Sequence, residues 1–249
     1  MHFLRTEAFI IRTQDLGEAD RIIVLYTADK GKLSGVARSA RKSVKRFSGC
    51  MELMTRVTAD LAEIEGRELL RIDRLELIQP SFKVIQDPEA LATFSYIAEL
   101  CDCFTQTANP CPPLFRLLKH VLQCASKKPM TLIARYFELW LLKLEGLFPD
   151  LANCEECGAS LSRTGLRVNL EGDAVTCPGC YQQVPGGGVL LSANGVRQLL
   201  LMLEKSLDSM VDYRVFDRSS SELERFFRAL IDAHAGRSLR SRKFLKTFS

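Results

Sequence analysis

The chain has 249 residues, enough for one large domain or two to three small ones. Its 47% apolar and 26% charged residues are the mix of an ordinary globular protein, and no run of eighteen apolar residues is present to cross a membrane. The net charge of +4 is too small to define a polyanion ligand by itself, so the placement of charge matters more than its sum.

The elements are predicted in chain order from hydrophobic period and turn residues. Residues 1–80 read as β structure. Ala8–Ile11, Arg21–Thr27 and Leu33–Ala37 are short runs rich in β-formers, separated by Asp15-Leu16-Gly17 and Asp29-Lys30-Gly31-Lys32. Two longer runs follow near 51–62 and 68–78, with Glu65-Gly66-Arg67 as a hairpin turn. Five strands in so short a span suit a small closed barrel, and an OB-fold is the expected form.

The period changes to that of helices at Asp87, a good N-cap followed by Pro88 at the first helical position. Helices are expected over Ala90–Phe104, Pro112–Cys124 and Thr131–Leu144, the last ended by Gly146. A cysteine element then occupies 152–186. Gly186-Gly187-Gly188 reads as its flexible exit, and helices resume at Ser192 and Ser221. The expected organisation is a barrel over 1–80, the first part of a helical domain over 81–151, a knuckle over 152–186, and the second part of the helical domain over 187–249. The fold class is multidomain α+β: a small β-barrel, then an all-α domain carrying an inserted four-cysteine element.

That element is the most specific motif. Cys154-Glu155-Glu156-Cys157 and Cys177-Pro178-Gly179-Cys180 are two Cys-x2-Cys pairs separated by nineteen residues. Each pair makes a tight turn that points two sulfurs at one point, and the spacer returns the second turn to face the first. Four thiolates close a tetrahedral Zn2+ shell and leave no position for water or substrate, so one structural zinc per chain is expected and a catalytic metal is not. Two alternatives use the same residues. A redox dithiol needs only one pair and usually opens a helix after a strand, and disulfides are a further possibility. Cys50, Cys101, Cys103, Cys111 and Cys124 lie mostly among apolar residues, as core cysteines do. An odd count of 9 cysteines, with no apolar signal core in Met1–Glu7, fits a cytoplasmic protein.

Two segments are basic without interleaved acids. Arg38-Ser39-Ala40-Arg41-Lys42-Ser43-Val44-Lys45-Arg46 lies between predicted strands, and Gly236–Lys246 contains Arg237, Arg240, Arg242 and Lys243. Each has a bland reading as a solvated loop or tail. On an OB barrel, a basic flexible loop suits a phosphate backbone, and charge alone gives binding without base reading. Phe47 is the one aromatic beside this loop. Arg116, Lys119 and Arg135 lie on apolar helices, where such residues snorkel to the surface or rim a groove for an acidic peptide. His2, His120 and His234 are isolated. No P-loop or GxGxxG motif is present, so no nucleotide hydrolysis and no enzyme activity is expected.

Three segments resemble the RecO family. Arg12–Arg21 with Gly31–Ser43 is similar to the family's barrel signature. Arg135–Leu139 with Gly146–Leu151 precedes the cysteines as in zinc-bearing members, and Leu239–Leu245 is similar to the closing motif. The resemblance implies a bacterial DNA-annealing protein and recombination mediator, working in the nucleoid-associated cytoplasm. Implied partners are single- and double-stranded DNA, RecR, the acidic C-terminal tail of the single-strand binding protein, and, indirectly, RecA, with no membrane. Lys32, Arg38, Arg41, Lys42, Lys45, Arg46, Arg240, Arg242 and Lys243 are the expected DNA contacts, and Arg116, Lys119 and Arg135 the expected contacts to the acidic tail. The alternative is a zinc-stabilised RNA- or transcription-associated module without annealing activity.

Overall fold

The computed structural model describes residues 2–47, 49–82, 84–85, 87–170, 174–181, 188–210 and 220–245, with Val44, Lys45 and Ser220 described by backbone only. The chain forms two compact units, Met1–Leu122 with Leu239–Ser249, and Gln123–Ser238.

The first unit is built on strands β1 (Phe3–Leu16), β2 (Asp20–Thr27), β3 (Gly31–Ala37), β4 (Arg56–Ala62) and β5 (Leu70–Gln79), with a single helical turn, α1 (Val44–Phe47), between β3 and β4. They form a closed barrel in the order β1-β2-β3-β5-β4, and β1 pairs antiparallel with β4 to close it. This is OB-type connectivity, so the expected barrel is present. The β3–β5 seam is the one parallel pairing and spans only Gly35↔Leu70 and Val36↔Arg71. Gly35 is required there, because a Cβ would stand 2.7 Å from Ile72 Cγ1.

Inward side chains Ile10, Ile23, Leu25, Val57, Leu61 and Ile72 fill the barrel, and Phe47 and Cys50 enter from the β3–β4 connection. Each such buried side chain contributes roughly 1.5–3 kcal/mol. β1 is longer than its apolar run because the polar residues Arg12–Asp15, and Leu16 after them, continue pairing with Asp20–Val24 beyond a register shift between Ile10 and Arg12. β4 begins later than expected. Met54 takes φ 60°, and its N–H bonds back to the Ile10 carbonyl, so the residues just before Arg56 form a turn.

Helices α2 (Pro88–Phe104) and α3 (Pro112–Cys124, through Leu122 in this unit) pack on the barrel. The Asp87 side chain accepts from the Ala90 N–H at 3.1 Å, capping α2 as its sequence predicts. Phe9 and Phe115 rings meet at 5.1 Å between centroids.

The second unit holds α4 (Met130–Leu144), α5 (Leu161–Thr164), β6 (Leu166–Asn169), β7 (Val175–Thr176), β8 (Gly188–Leu191), α6 (Ala193–Glu204) and α7 (Ser220–His234). Strands β7-β6-β8 make a small antiparallel sheet. Ile133, Phe137, Leu141, Val196, Leu199, Phe226 and Phe227 are among its fully buried residues. Gly146, at φ 73°, stands just past α4 where a left-handed residue ends a helix. Of the predicted glycine exit, Gly186 and Gly187 lie outside the described residues, while Gly188 begins β8.

Candidate metal centre and nucleic-acid interface

The four knuckle cysteines converge. Sγ atoms of Cys154, Cys157, Cys177 and Cys180 all lie within 4.8 Å of one another. Local hydrogen bonds fold both turns: Gly158 N–H to the Cys154 carbonyl at 2.9 Å, and the N–H groups of Cys180 and Tyr181 to the Cys177 carbonyl, both at 3.1 Å. β7 runs directly into Cys177, and Glu155 N–H bonds to the Val175 carbonyl at 3.0 Å, joining the first turn to the strand that delivers the second. Gly158 takes φ 70°, the left-handed conformation that lets the first turn close.

Cys157 and Cys177 sulfurs are 3.7 Å apart. A tetrahedral zinc with bonds of 2.3 Å separates its sulfurs by about 3.8 Å, whereas a disulfide needs about 2.05 Å. All nine cysteines are free, which removes the disulfide alternative, and both pairs converge on one point where a redox dithiol needs only one pair.

The electrostatics of the donor set also suit a cation. Burial opposes ionisation of Cys154, yet bonds from the backbone of Cys157, Cys177 and Glu156 and from the Cys157 side chain bring its pKa down to about 6. Hydrogen bonds with Cys157 and Cys177, then burial, push Cys180 up to about 12. One thiolate is favoured at Cys154, while the hydrogen bonds that Cys180 shares with its neighbours hold it in the thiol form. Arg167, buried in β6, stacks its guanidinium 3.5 Å from the Tyr181 ring centroid and so fixes the residue that follows Cys180. Four soft, convergent donors fit Zn2+, held by Cys154, Cys157, Cys177 and Cys180.

On the barrel, the β3–β4 connection carries the basic loop. Its backbone is tied to the β1–β2 turn: Ser39 N–H to Asp20 Oδ1 at 2.7 Å and Arg41 N–H to the Ala19 carbonyl at 3.2 Å. Lys42 and Ser43 N–H groups both bond the Ser39 carbonyl. Arg38, Arg41 and Lys42 are exposed, and their side chains make no hydrogen bond or ion pair among the described residues. Arg46 is different. It donates to Ser43 Oγ at 3.0 Å and to the Arg38 carbonyl at 2.8 Å, and lies 5.0 Å from the Phe47 centroid. The side chain of Lys45 is outside the described residues. Phe47 is 1% exposed, so the one aromatic beside the loop belongs to the barrel core and has no face for a base. Between the β1–β2 turn and the β4–β5 hairpin lies a cavity of about 440 Å3 with apolar walls that include Leu16 and Leu70 and a rim of mixed charge, Arg38, Arg67 and Arg71 with Asp20 and Glu68.

Lys32 stands apart from the other expected DNA contacts. Its Nζ donates to the Asp102 carbonyl at 2.5 Å and lies 3.4 Å from Asp102 Oδ1, with only 14% of the side chain exposed. Arg12 reaches the same carboxylate at 3.4 Å.

The C-terminal cations are held in the first unit by a residue that sequence reasoning does not single out. Glu99 of α2 accepts from the Arg240 N–H at 3.0 Å, the Ser241 N–H at 2.8 Å and Ser241 Oγ at 2.5 Å. It thereby caps the final turn, α8 (Arg242–Leu245). Leu239 and Ser241 are buried while Arg240 and Lys243 are exposed and Arg242 is half-buried. The absence of any acid between Gly236 and Leu245, against three acids in α2 (Glu89, Glu99 and Asp102), is the signal the sequence offers.

Arg116 is exposed and Lys119 half-buried, one turn apart on α3 in the first unit. Arg135, in the second unit, has 13% of its side chain exposed and pairs with the buried Glu138 at 3.1 Å.

A barrel of OB connectivity with an unneutralised cationic loop, in one chain with a helical unit bearing a four-thiol metal knuckle, defines an OB-barrel protein with an accessory metal-type element. Family models described as Recombination protein O N terminal and Recombination protein O C terminal match residues 1–81 and 85–243. The chain is 31% identical over 246 residues to DNA repair protein RecO of Anaeromyxobacter sp. (strain K), covering 98% of this chain and 96% of that protein. It is 29% identical to DNA repair protein RecO of Pelobacter propionicus over 252 residues, covering 100% and 98%, and 35% identical to that of Geobacter sulfurreducens over 202 residues, covering 80% of each. The chain belongs to the RecO family. Membership supports a role in DNA repair and recombination. No helix among the described residues is long and apolar enough to cross a membrane.

Proposed function

We propose that this chain is a DNA-binding recombination mediator that anneals complementary strands without catalysing a covalent step. The observation that carries the reading is the trio Arg38, Arg41 and Lys42, exposed on a loop whose backbone is fixed and whose side chains meet no acid among the described residues. Annealing needs the repulsion between two polyanions lowered while the bases stay available to each other. Cations that release phosphate counterions supply the first condition. A basic loop whose only aromatic is buried supplies the second, since it does not hold the bases by stacking on Phe47.

In this reading Arg38, Arg41 and Lys42 carry the first strand, with Lys45 and Arg46 beside them. Arg240, Arg242 and Lys243 extend the surface or hold the second strand. Lys32 acts by fixing β3 to α2 through Asp102. Zinc on Cys154, Cys157, Cys177 and Cys180 is a scaffold metal, one per chain. The acidic tail of the single-strand binding protein engages Arg116 and Lys119, while Arg135 is already matched by Glu138. With RecR, the protein then helps RecA load on coated strands.

The test is annealing of complementary oligonucleotides precoated with the single-strand binding protein, without ATP. Annealing that depends on that protein's acidic tail supports the reading. Binding of RNA in preference to single-stranded DNA, with no annealing, would instead favour a zinc-stabilised RNA module.

A further inference from the structure

Phe244 is 64% exposed on the single helical turn α8. The Phe244 N–H bonds to the Ser241 carbonyl at 3.0 Å and the Leu245 N–H to the same carbonyl at 3.3 Å. The turn's start is held by the three Glu99 hydrogen bonds, with Leu239 and Ser241 packed down beneath it. A large apolar ring kept in water on an anchored backbone contributes nothing to the core. Its flanking residues are cationic: Arg240 and Lys243 are exposed, Arg242 is half-buried, and no acid occurs between Gly236 and Leu245. An aromatic face set among cations on a rigid support is the arrangement that binds an unpaired base and its phosphates. The barrel loop lacks it, because Phe47 is buried.

We infer that Phe244, flanked by Arg240 and Lys243 and positioned by Glu99, is a stacking platform for one unpaired nucleobase of a single strand. The platform rests on the DNA-binding reading above and adds a division of labour to it. The barrel loop binds phosphates of single and double strands alike, whereas Phe244 binds only where a base is free. Paired bases present no face to it, so the platform favours single strands and releases them as they become duplex. Glu99 is a positioning residue, since it touches the turn's backbone and not the ligand.

The test uses the full-length protein with a labelled oligo(dT) strand and a duplex of equal length at one fixed salt concentration. Phe244→Ala is expected to weaken oligo(dT) binding by about fivefold to a hundredfold, the range for losing one base–aromatic stack. Duplex affinity should stay within twofold, and Phe244→Trp should restore oligo(dT) binding. Glu99→Ala should reproduce the Phe244→Ala pattern with Phe244 intact. Because Phe244 is exposed, its variants are expected to keep the wild-type melting temperature. Equal weakening on single strand and duplex would overturn the platform, as would unchanged binding to both, and the latter would assign the exposed ring to a protein contact. Failure of the wild-type chain to bind either DNA would overturn the DNA-binding reading itself, and the platform with it. A platform failure alone leaves the loop variants' effects standing.

Discussion

Among the described residues, the cysteine knuckle and the loop cations Arg38, Arg41 and Lys42 are both clusters of like side chains with no counter-charge paired to them, and they face in opposite directions. In the knuckle, four sulfurs turn inward to within 4.8 Å of one another, so one small cation could satisfy all of them, and a metal held there would be a structural cross-link. In the loop, Arg38, Arg41 and Lys42 turn outward from a backbone pinned by Asp20 and Ala19, so an extended polyanion is the shape of ligand that would meet all three. The barrel wall shows a third arrangement of the same residue types. Arg5 meets Asp60 at 3.0 Å and Glu76 at 2.5 Å, and Arg56 pairs with Glu7. Convergence, divergence and matching separate scaffold, ligand contact and surface stability more reliably than the net charge of +4 does.

The largest expected effect comes from breaking convergence. Removing zinc with a chelator, or replacing Cys157 with Ser, should unfold the β6–β8 element, because structural zinc sites couple about 10–16 kcal/mol of binding to folding. Circular dichroism and metal analysis check this, with one zinc per chain released. Acidification should have the same sense, since metal binding needs the thiolate form and protons compete with the metal for the sulfurs. A protein that binds no zinc yet keeps the element folded would contradict the scaffold role.

Next is the loop. Arg41→Glu with Lys42→Glu should lower DNA affinity by tenfold or more with no change in melting temperature. The log–log salt slope should fall by about 0.7 for each single-strand phosphate that the variant no longer neutralises. Lys32→Ala should show the reverse pattern. It removes one of the two cations that reach the partly buried Asp102 carboxylate, Arg12 remaining at 3.4 Å, and costs about 2 kcal/mol in a denaturant titration, while the salt slope stays unchanged. If the slope falls as well, Lys32 is a ligand contact after all. Smallest is Arg5→Ala on the wall. Exposed ion pairs contribute about 0–1 kcal/mol, so stability and DNA affinity should both stay near wild type.

What was legible in the sequence followed from local chemistry. Asp87-Pro88 and Gly146 fixed helix ends, Gly66 at φ 73° closed the expected hairpin, and the paired Cys-x2-Cys turns placed four sulfurs together. What was not legible depended on residues distant in the chain. Nothing near Lys32 reveals that Asp102 will hold it, and nothing near Arg240 reveals Glu99, 141 residues away. The sequence marks Phe47 only as the one aromatic beside the basic loop, and it takes the single turn of α1 to place it in the barrel core. Spacing therefore located the metal donors, while deciding which cations remain available for a ligand required the fold.

The most direct test of the central claim is the salt dependence of single-strand DNA affinity for the wild-type chain and for the Arg41→Glu, Lys42→Glu variant. Steep salt dependence in the wild type and a shallower slope in the equally stable variant are predicted. Identical slopes and affinities in the two proteins would contradict the claim that the barrel loop is the DNA contact.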